Sequence, residues 1–284
     1  MGDRRRRDRF TRGSAATIPA MTSTRLWDRA ADLPVPVGRR PRPELVALPP
    51  DTLPTLDELF TFMRDAELRF DTLRMRIEEH SFTTRGEHLV VVELALRHPK
   101  DARVTTTEPH RGTAGNYEIW ISDGETVRTY AAPHRLGTER PVRRPVQGVS
   151  GPEARDLPGT ARVYVPLTAL PMETLPDTFV HPAGYCQNVL STGDCRVAGL
   201  DEVAGRETIV IECDHPRTIE MAADRPDFRI RVDVDRAEGV ILRLRESIGG
   251  LATRDALVTE FGPDAPLAPN AFDFTFPTGT TMLY

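Results

Sequence analysis

Apolar positions along this chain fall into two rhythms. Leu56, Leu59, Phe60, Met63 and Phe70 recur at helical spacing and share one face. Thr55 lies three residues before Glu58, the spacing of a capping box, so a helix is predicted from Thr55 to about Phe70. Beyond it the period drops to two. Met75 and Ile77 alternate with Arg74 and Arg76, and Val90, Val92, Leu94 and Leu96 alternate with Val91, Glu93 and Ala95. These read as two antiparallel strands joined near Arg85-Gly86. Residues 102–107 read as a third strand, and 117–121 with 126–130 as a hairpin. Its turn holds Asp123-Gly124, a pair that supplies the positive φ of a tight turn.

The pattern then lapses. Residues 133–159 are rich in Pro, Gly and Arg without a sustained period and read as a long loop. Residues 166–191 scatter Leu167, Leu170, Met172, Leu175, Phe179 and Val189 among prolines, which suggests short helical turns forming a lid. Strands resume at 197–200, 207–213, 228–234, 240–245 and 256–261. The chain closes with Phe272, Phe274 and Phe276 alternating with Asp273 and Thr275, read as a last strand presenting an apolar wall.

Composition adjusts this picture in three places. Residues 1–53 carry the run Arg4 to Arg7 and a tract of prolines that suits neither helix nor central strand, so they read as a disordered tail preceding one domain over 54–284. The net charge of -5 excludes the basic footprint of a nucleic-acid binder. No apolar run reaches the length of a membrane helix, and no apolar stretch follows the arginine run, so the expected location is the cytoplasm. Three cysteines, Cys186, Cys195 and Cys213, make no disulfide framework. Cys186 and Cys195 could bridge a short loop in an oxidising compartment and would stay reduced in a cytoplasm.

Catalytic and metal signatures are sparse. HExxH, CxxC, P-loop and GxGxxG patterns are absent from the sequence. Gly148-Val149-Ser150-Gly151 approaches a nucleophile elbow, but Pro152 stands where its second glycine belongs. His181 lies five residues before Cys186, and this near-pairing is weighed as a chance neighbour rather than a nucleophile and base. Asp233 and Asp235 share a strand face; they could bind a cation, but read better as a solvated strand end. No cofactor and no metal are expected. The apolar signal is the strong one: a sheet of about ten or more strands encloses more space than its own side chains fill. An ordinary filled core between helix and sheet is the plain alternative.

The order of segments resembles the LolA-like family of lipoprotein carriers, which includes the N-terminal domain of RseB-like sigma-factor regulators. The resemblance runs from Leu56 to Tyr284. It is carried by the opening helix leading into Leu73 to Ile77, the Asp-Gly hairpin from Ser122 to Tyr130, and the strand from Val203 to Ile211. The hairpin from Val232 to Arg243 and the closing stretch from Asn270 to Gly279 complete it. It implies a mainly β fold with α: an incomplete, half-open antiparallel β-barrel, plugged by the N-terminal helix and covered by short lid helices. Its cavity would take a lipid, an acyl chain or a hydrophobic peptide, with Phe60, Met63, Trp120, Leu175, Phe179, Tyr185, Phe272 and Phe274 as the expected lining. A non-enzymatic binding protein is the first functional reading. A regulatory module docking a protein partner is the second, and an enzyme acting on an apolar substrate the third.

Overall fold

The computed structural model describes residues 45–111, 115–142, 166–214 and 227–283. The Arg4 to Arg7 run, most of the proline tract, the elbow-like Gly148 to Gly151 and much of the 133–159 loop lie outside these residues.

The helix α1, Leu56–Arg64, opens with the capping box that the sequence predicts: the Thr55 hydroxyl accepts from the Glu58 N–H, and the Glu58 carboxylate accepts from the Thr55 N–H at 2.8 Å. Among the described residues twelve strands follow in chain order: β1 Thr72–Thr83, β2 Gly86–Arg97, β3 Asp101–Thr107, β4 Tyr117–Ser122, β5 Thr126–Ala131, β6 Leu136–Pro141, β7 Asp194–Val203, β8 Arg206–Asp214, β9 Phe228–Asp235, β10 Ile241–Ile248, β11 Leu251–Pro263 and β12 Thr281–Leu283. Two short helices, α2 Leu175–Val180 and α3 Pro182–Asn188, sit between β6 and β7. All strands join one sheet in the order β12-β6-β5-β4-β3-β2-β1-β11-β10-β9-β8-β7. Every pairing is antiparallel except β12 with β6. The sheet does not close, so this is a half-open barrel with its helices on one face.

Strand alternation decides what each face carries. Leu73, Met75 and Ile77 of β1, Leu94 and Leu96 of β2, Val232 and Val234 of β9, and Leu242 and Leu244 of β10 are buried on the inner face with α1 and the lid helices. The outer face of β9, β10 and β11 carries charge instead. Arg231 pairs with Asp233 at 2.8 Å, Arg243 with Asp255 at 2.6 Å, and Arg206 on β8 with Asp235 at 2.5 Å. The expectation that Asp233 and Asp235 form a solvated strand end is therefore corrected. Both are buried and paired with the arginines that neutralise them.

Four expectations need adjustment. The first helix ends at Arg64, and the chain continues as a 3₁₀ turn over Ala66–Leu68. That turn buries Glu67, and Phe70 then packs flat on His98 at 5.4 Å. Secondly, β6 lies inside the stretch expected to be loop. As a short, two-faced polar strand near the sheet edge it carries little alternation to read.

Thirdly, the closing phenylalanines do not form a strand. Residues 264–280 run without ladder pairing across the outer face of the sheet, broken by Pro266, Pro269 and Pro277, and only β12 rejoins it. Phe274 meets Tyr130 at 6.1 Å and Phe276 edge-on at 5.1 Å, while Arg97 caps the Phe272 ring. Phe276 also packs so closely on Gly137 that a Cβ there would lie 2.7 Å from the ring. Period-two alternation reports one-sided packing, and an extended strap satisfies it as well as a strand does. Fourthly, residues 45–53 of the expected tail lie along the domain. Arg69 donates to the Val46 carbonyl at 2.9 Å, and Arg236 to the Pro49 carbonyl at 2.8 Å.

Candidate functional site

The inner face is filled on one side and hollow on the other. Under β2 to β6 lies a groove of about 610 Å³, within the range of small-molecule sites. Val90 and Val92 of β2, Val104 of β3, Trp120 of β4 and Leu136 of β6 form its apolar wall. Thr106, Thr129 and Thr138 add hydroxyls. The stretch from Pro171 to Pro176, which leads into α2, closes it from above, and Leu283 of β12 stands at its edge. Glu118 and Glu173 are exposed on its rim.

Of the eight residues expected to line a cavity, the structure brings two together here, Trp120 and Leu175. Met63 and Phe179 are fully buried in the neighbouring core, and Phe60 and Tyr185 pack against that core. Phe272 and Phe274 lie across the sheet, on its outer face, because the strap that carries them crosses there.

One end of the groove holds a charged cluster that the sequence reading passes over. Arg254 of β11 donates to Glu79 of β1 at 2.6 Å and lies 3.4 Å from Glu246 of β10. Arg254 and Glu79 line the groove. Burial pushes the Glu246 carboxyl above its ordinary range. Desolvation opposes the charge on Arg254, but the two carboxylates outweigh it and hold the guanidinium protonated. The signal is present in the sequence: Glu79 continues the inner-face series Leu73, Met75, Ile77, where an apolar residue would be the default.

The lid is held by buried polar contacts rather than by its short helices. Glu67 accepts from the Leu167 N–H at 2.9 Å and meets His181 Nε2 at 3.2 Å. His181 Nδ1 meets Asp177 at 2.9 Å. Burial works against a charge on His181, yet its hydrogen bonds to Asp177 and Glu67 hold its pKa above the ordinary histidine value. His98 Nδ1 bonds the Thr168 hydroxyl at 2.8 Å. His181 is thus committed to two carboxylates and forms no nucleophile pair with Cys186, whose sulfur lies 3.8 Å from that of Met63. Burial pushes the Cys186 thiol up to about 12, far from a reactive thiolate.

Among the described residues no cluster of three or more His, Cys, Asp or Glu is placed to hold a metal ion. No described helix is long and apolar enough to cross a membrane.

No family model matches the sequence, and no curated protein is similar to it. Solved structures do resemble the fold. The complex of MucA and MucB from Pseudomonas aeruginosa matches at 14% identity and a TM-score of 0.43 over 77% of this chain and 60% of that one. This chain thus spans about 60% of the MucB length. The lipoprotein LppX of Mycobacterium tuberculosis matches at 11% identity and a TM-score of 0.35, over 72% and 96% of the two chains. A LolA superfamily protein of Nitrosomonas europaea matches at 8% identity and a TM-score of 0.32, over 78% and 99%. The sequence resemblance implies a half-open barrel with its helices on one face, and the unclosed strand order has that form. The cytoplasmic location expected from the sequence is withdrawn: the solved structures with this likeness include a lipoprotein and a protein seen in complex with MucA(peri). The expectation rests on the residues after the arginine run, which say nothing of what a longer chain carries before them.

Proposed function

We propose that this protein is a non-enzymatic binding protein whose groove under β2 to β6 holds the apolar part of a lipid or other acyl-chain amphipath. The observation that carries the reading is the groove itself, a volume of about 610 Å³ walled by Val90, Val92, Val104, Trp120, Leu136 and Leu175. Apolar surface left facing such a space is stabilised when an apolar chain replaces water, at roughly 25 cal/mol per Å² covered. The rim narrows the choice of headgroup. Glu118 and Glu173 are carboxylates, and Arg254, a lining cation, is already neutralised by Glu79 and Glu246. A neutral or cationic headgroup meets this rim without repulsion, whereas a free fatty-acid carboxylate would face like charge.

A hydrophobic peptide is the second occupant that this groove would admit. MucB is seen in complex with MucA, which makes a polypeptide partner a reading worth separating from a lipid. Native mass spectrometry of the purified full chain, before and after extraction with organic solvent, separates them. A small apolar adduct lost on extraction supports the lipid reading; a copurifying polypeptide removed only by denaturation supports the second. A protein that carries neither, and takes up no neutral lipid when offered one, contradicts both.

A further inference from the structure

The three cysteines are spread over α3, β7 and β8, and the fold sorts them. Cys195 on β7 stands directly opposite Cys213 on β8 in the antiparallel register. Directly opposed residues point to the same face, with Cα atoms about 4.5–5.5 Å apart, inside the roughly 4.4–6.8 Å that a disulfide spans. Both sulfurs converge on one acceptor, the Leu190 carbonyl, at 3.0 Å from Cys195 and 3.7 Å from Cys213. The two thiols are also within hydrogen-bonding reach of each other. Leu190 belongs to the turn that joins α3 to β7, so these S–H groups tether the end of the lid to the last strand of the sheet. Cys213 is buried, whereas Cys195 is partly exposed. Cys186 is turned away to Met63.

We propose that Cys195 and Cys213 form a thiol–disulfide site, closed by a disulfide-bearing oxidant such as a dithiol oxidoreductase or oxidised glutathione, with Cys186 left out. Cys195, the accessible thiol, loses its proton to solvent, and its thiolate attacks one sulfur of the oxidant's disulfide. The S–S bond of the oxidant breaks, and its other sulfur leaves as a thiolate. Cys213 then gives up its proton and attacks the Cys195 sulfur of the mixed disulfide, expelling the remaining oxidant sulfur. Two thiols of this protein are oxidised by two electrons, and one disulfide of the oxidant is reduced to two thiols. The mutual hydrogen bond and burial push the Cys195 thiol up; the thiolate is the attacking form, so closure quickens as pH rises.

Closure has two consequences. It staples the free end strand β7 to β8, and it removes both S–H donors from the Leu190 carbonyl. The sheet edge becomes firmer while the turn at the end of the lid loses its tether.

The test is to treat the full-length protein with oxidised glutathione, alkylate, digest and map the linkages, with Cys195→Ser and Cys186→Ser alongside. A Cys195–Cys213 link is expected in the wild type and in Cys186→Ser, with Cys186 alkylated only after unfolding. Cys195→Ser should yield no internal link. The oxidised wild type should melt roughly 5–10 °C above the reduced form, the size expected for a short closed loop in a domain of this size. Amides of the 188–193 turn should exchange faster in the oxidised form. Full alkylation of Cys195 and Cys213 after oxidant treatment, or a Cys186–Cys195 link in the folded protein, overturns the proposal.

Discussion

The two halves of the inner face are built on the same strand geometry and end in opposite states. On β8, β9 and β10 the inward positions are Ile209, Ile211, Val232, Val234, Leu242 and Leu244, all with 1% exposure or less. They meet α1 and the lid helices, and Phe62 fills the remaining space down to the turn at Gly239, 3.0 Å from where a Cβ would be. On β3 to β6 the inward positions instead include Val104, Thr106, Glu118, Trp120, Thr129, Leu136 and Thr138, and a groove remains above them. Branched aliphatics in register with a helix make a solid core. Threonines interleaved with one large aromatic leave an open groove, roofed by the stretch from Pro171 into the start of α2. The difference teaches that hollowness here is written in the inward residues of the sheet, not in the count of aromatics.

Breaking the filled half should cost most. Phe179 is fully buried there, so Phe179→Ala is expected to destabilise by about 3–5 kcal/mol in chemical denaturation, as truncations of buried aromatics do. Trp120→Ala, on the hollow side, should cost clearly less, because Trp120 is only partly buried and already faces open space. Its effect should appear instead in affinity for a neutral apolar probe. Equal stability losses for the two would erase the distinction between the halves.

The roof joining the halves should respond to pH. The folded pKa of His181 is raised, so the stability it contributes is complete below its unfolded value of about 6.5 and is lost as pH rises through the higher folded value. The stability gap between wild type and His181→Gln should therefore narrow from about pH 6 towards pH 9, read by urea denaturation at each pH. A gap that widens with pH would mean that the Glu67–His181–Asp177 contacts do not hold the lid through charge. The smallest effect is expected at Phe274, which is half-buried on the outer face against Tyr130. Phe274→Ala should lower the melting temperature by only a few degrees and leave probe affinity unchanged. A large loss of affinity would place the closing strap at the binding site.

Much of this architecture is legible in the sequence. The Thr55 capping box, the Asp123-Gly124 turn and the alternation of Met75, Ile77, Val92 and Leu94 each rest on local chemistry, and each appears where local chemistry puts it. The site is less legible, because it depends on pairing between distant segments. Phe272 and Phe274 alternate like a strand, but their prolines turn the chain into a strap on the wrong face for a cavity. Glu79 lies 175 residues from Arg254 and joins it and Glu246 only because β1 is the neighbour of β11 in the sheet. Glu67 becomes the anchor of the lid only because the first helix stops at Arg64, about six residues before its expected end.

The central claim is that the space under β2 to β6 is a binding groove. It is tested most directly by titrating the full-length protein with N-phenyl-1-naphthylamine, a neutral apolar fluorophore, in the wild type and in Val104→Trp, which fills the groove from its floor. A binding groove gives saturable binding by the wild type at micromolar concentration, and loss of that binding in Val104→Trp with the cooperative unfolding transition retained. Absence of binding in the wild type, or undiminished binding in a folded Val104→Trp, would contradict it.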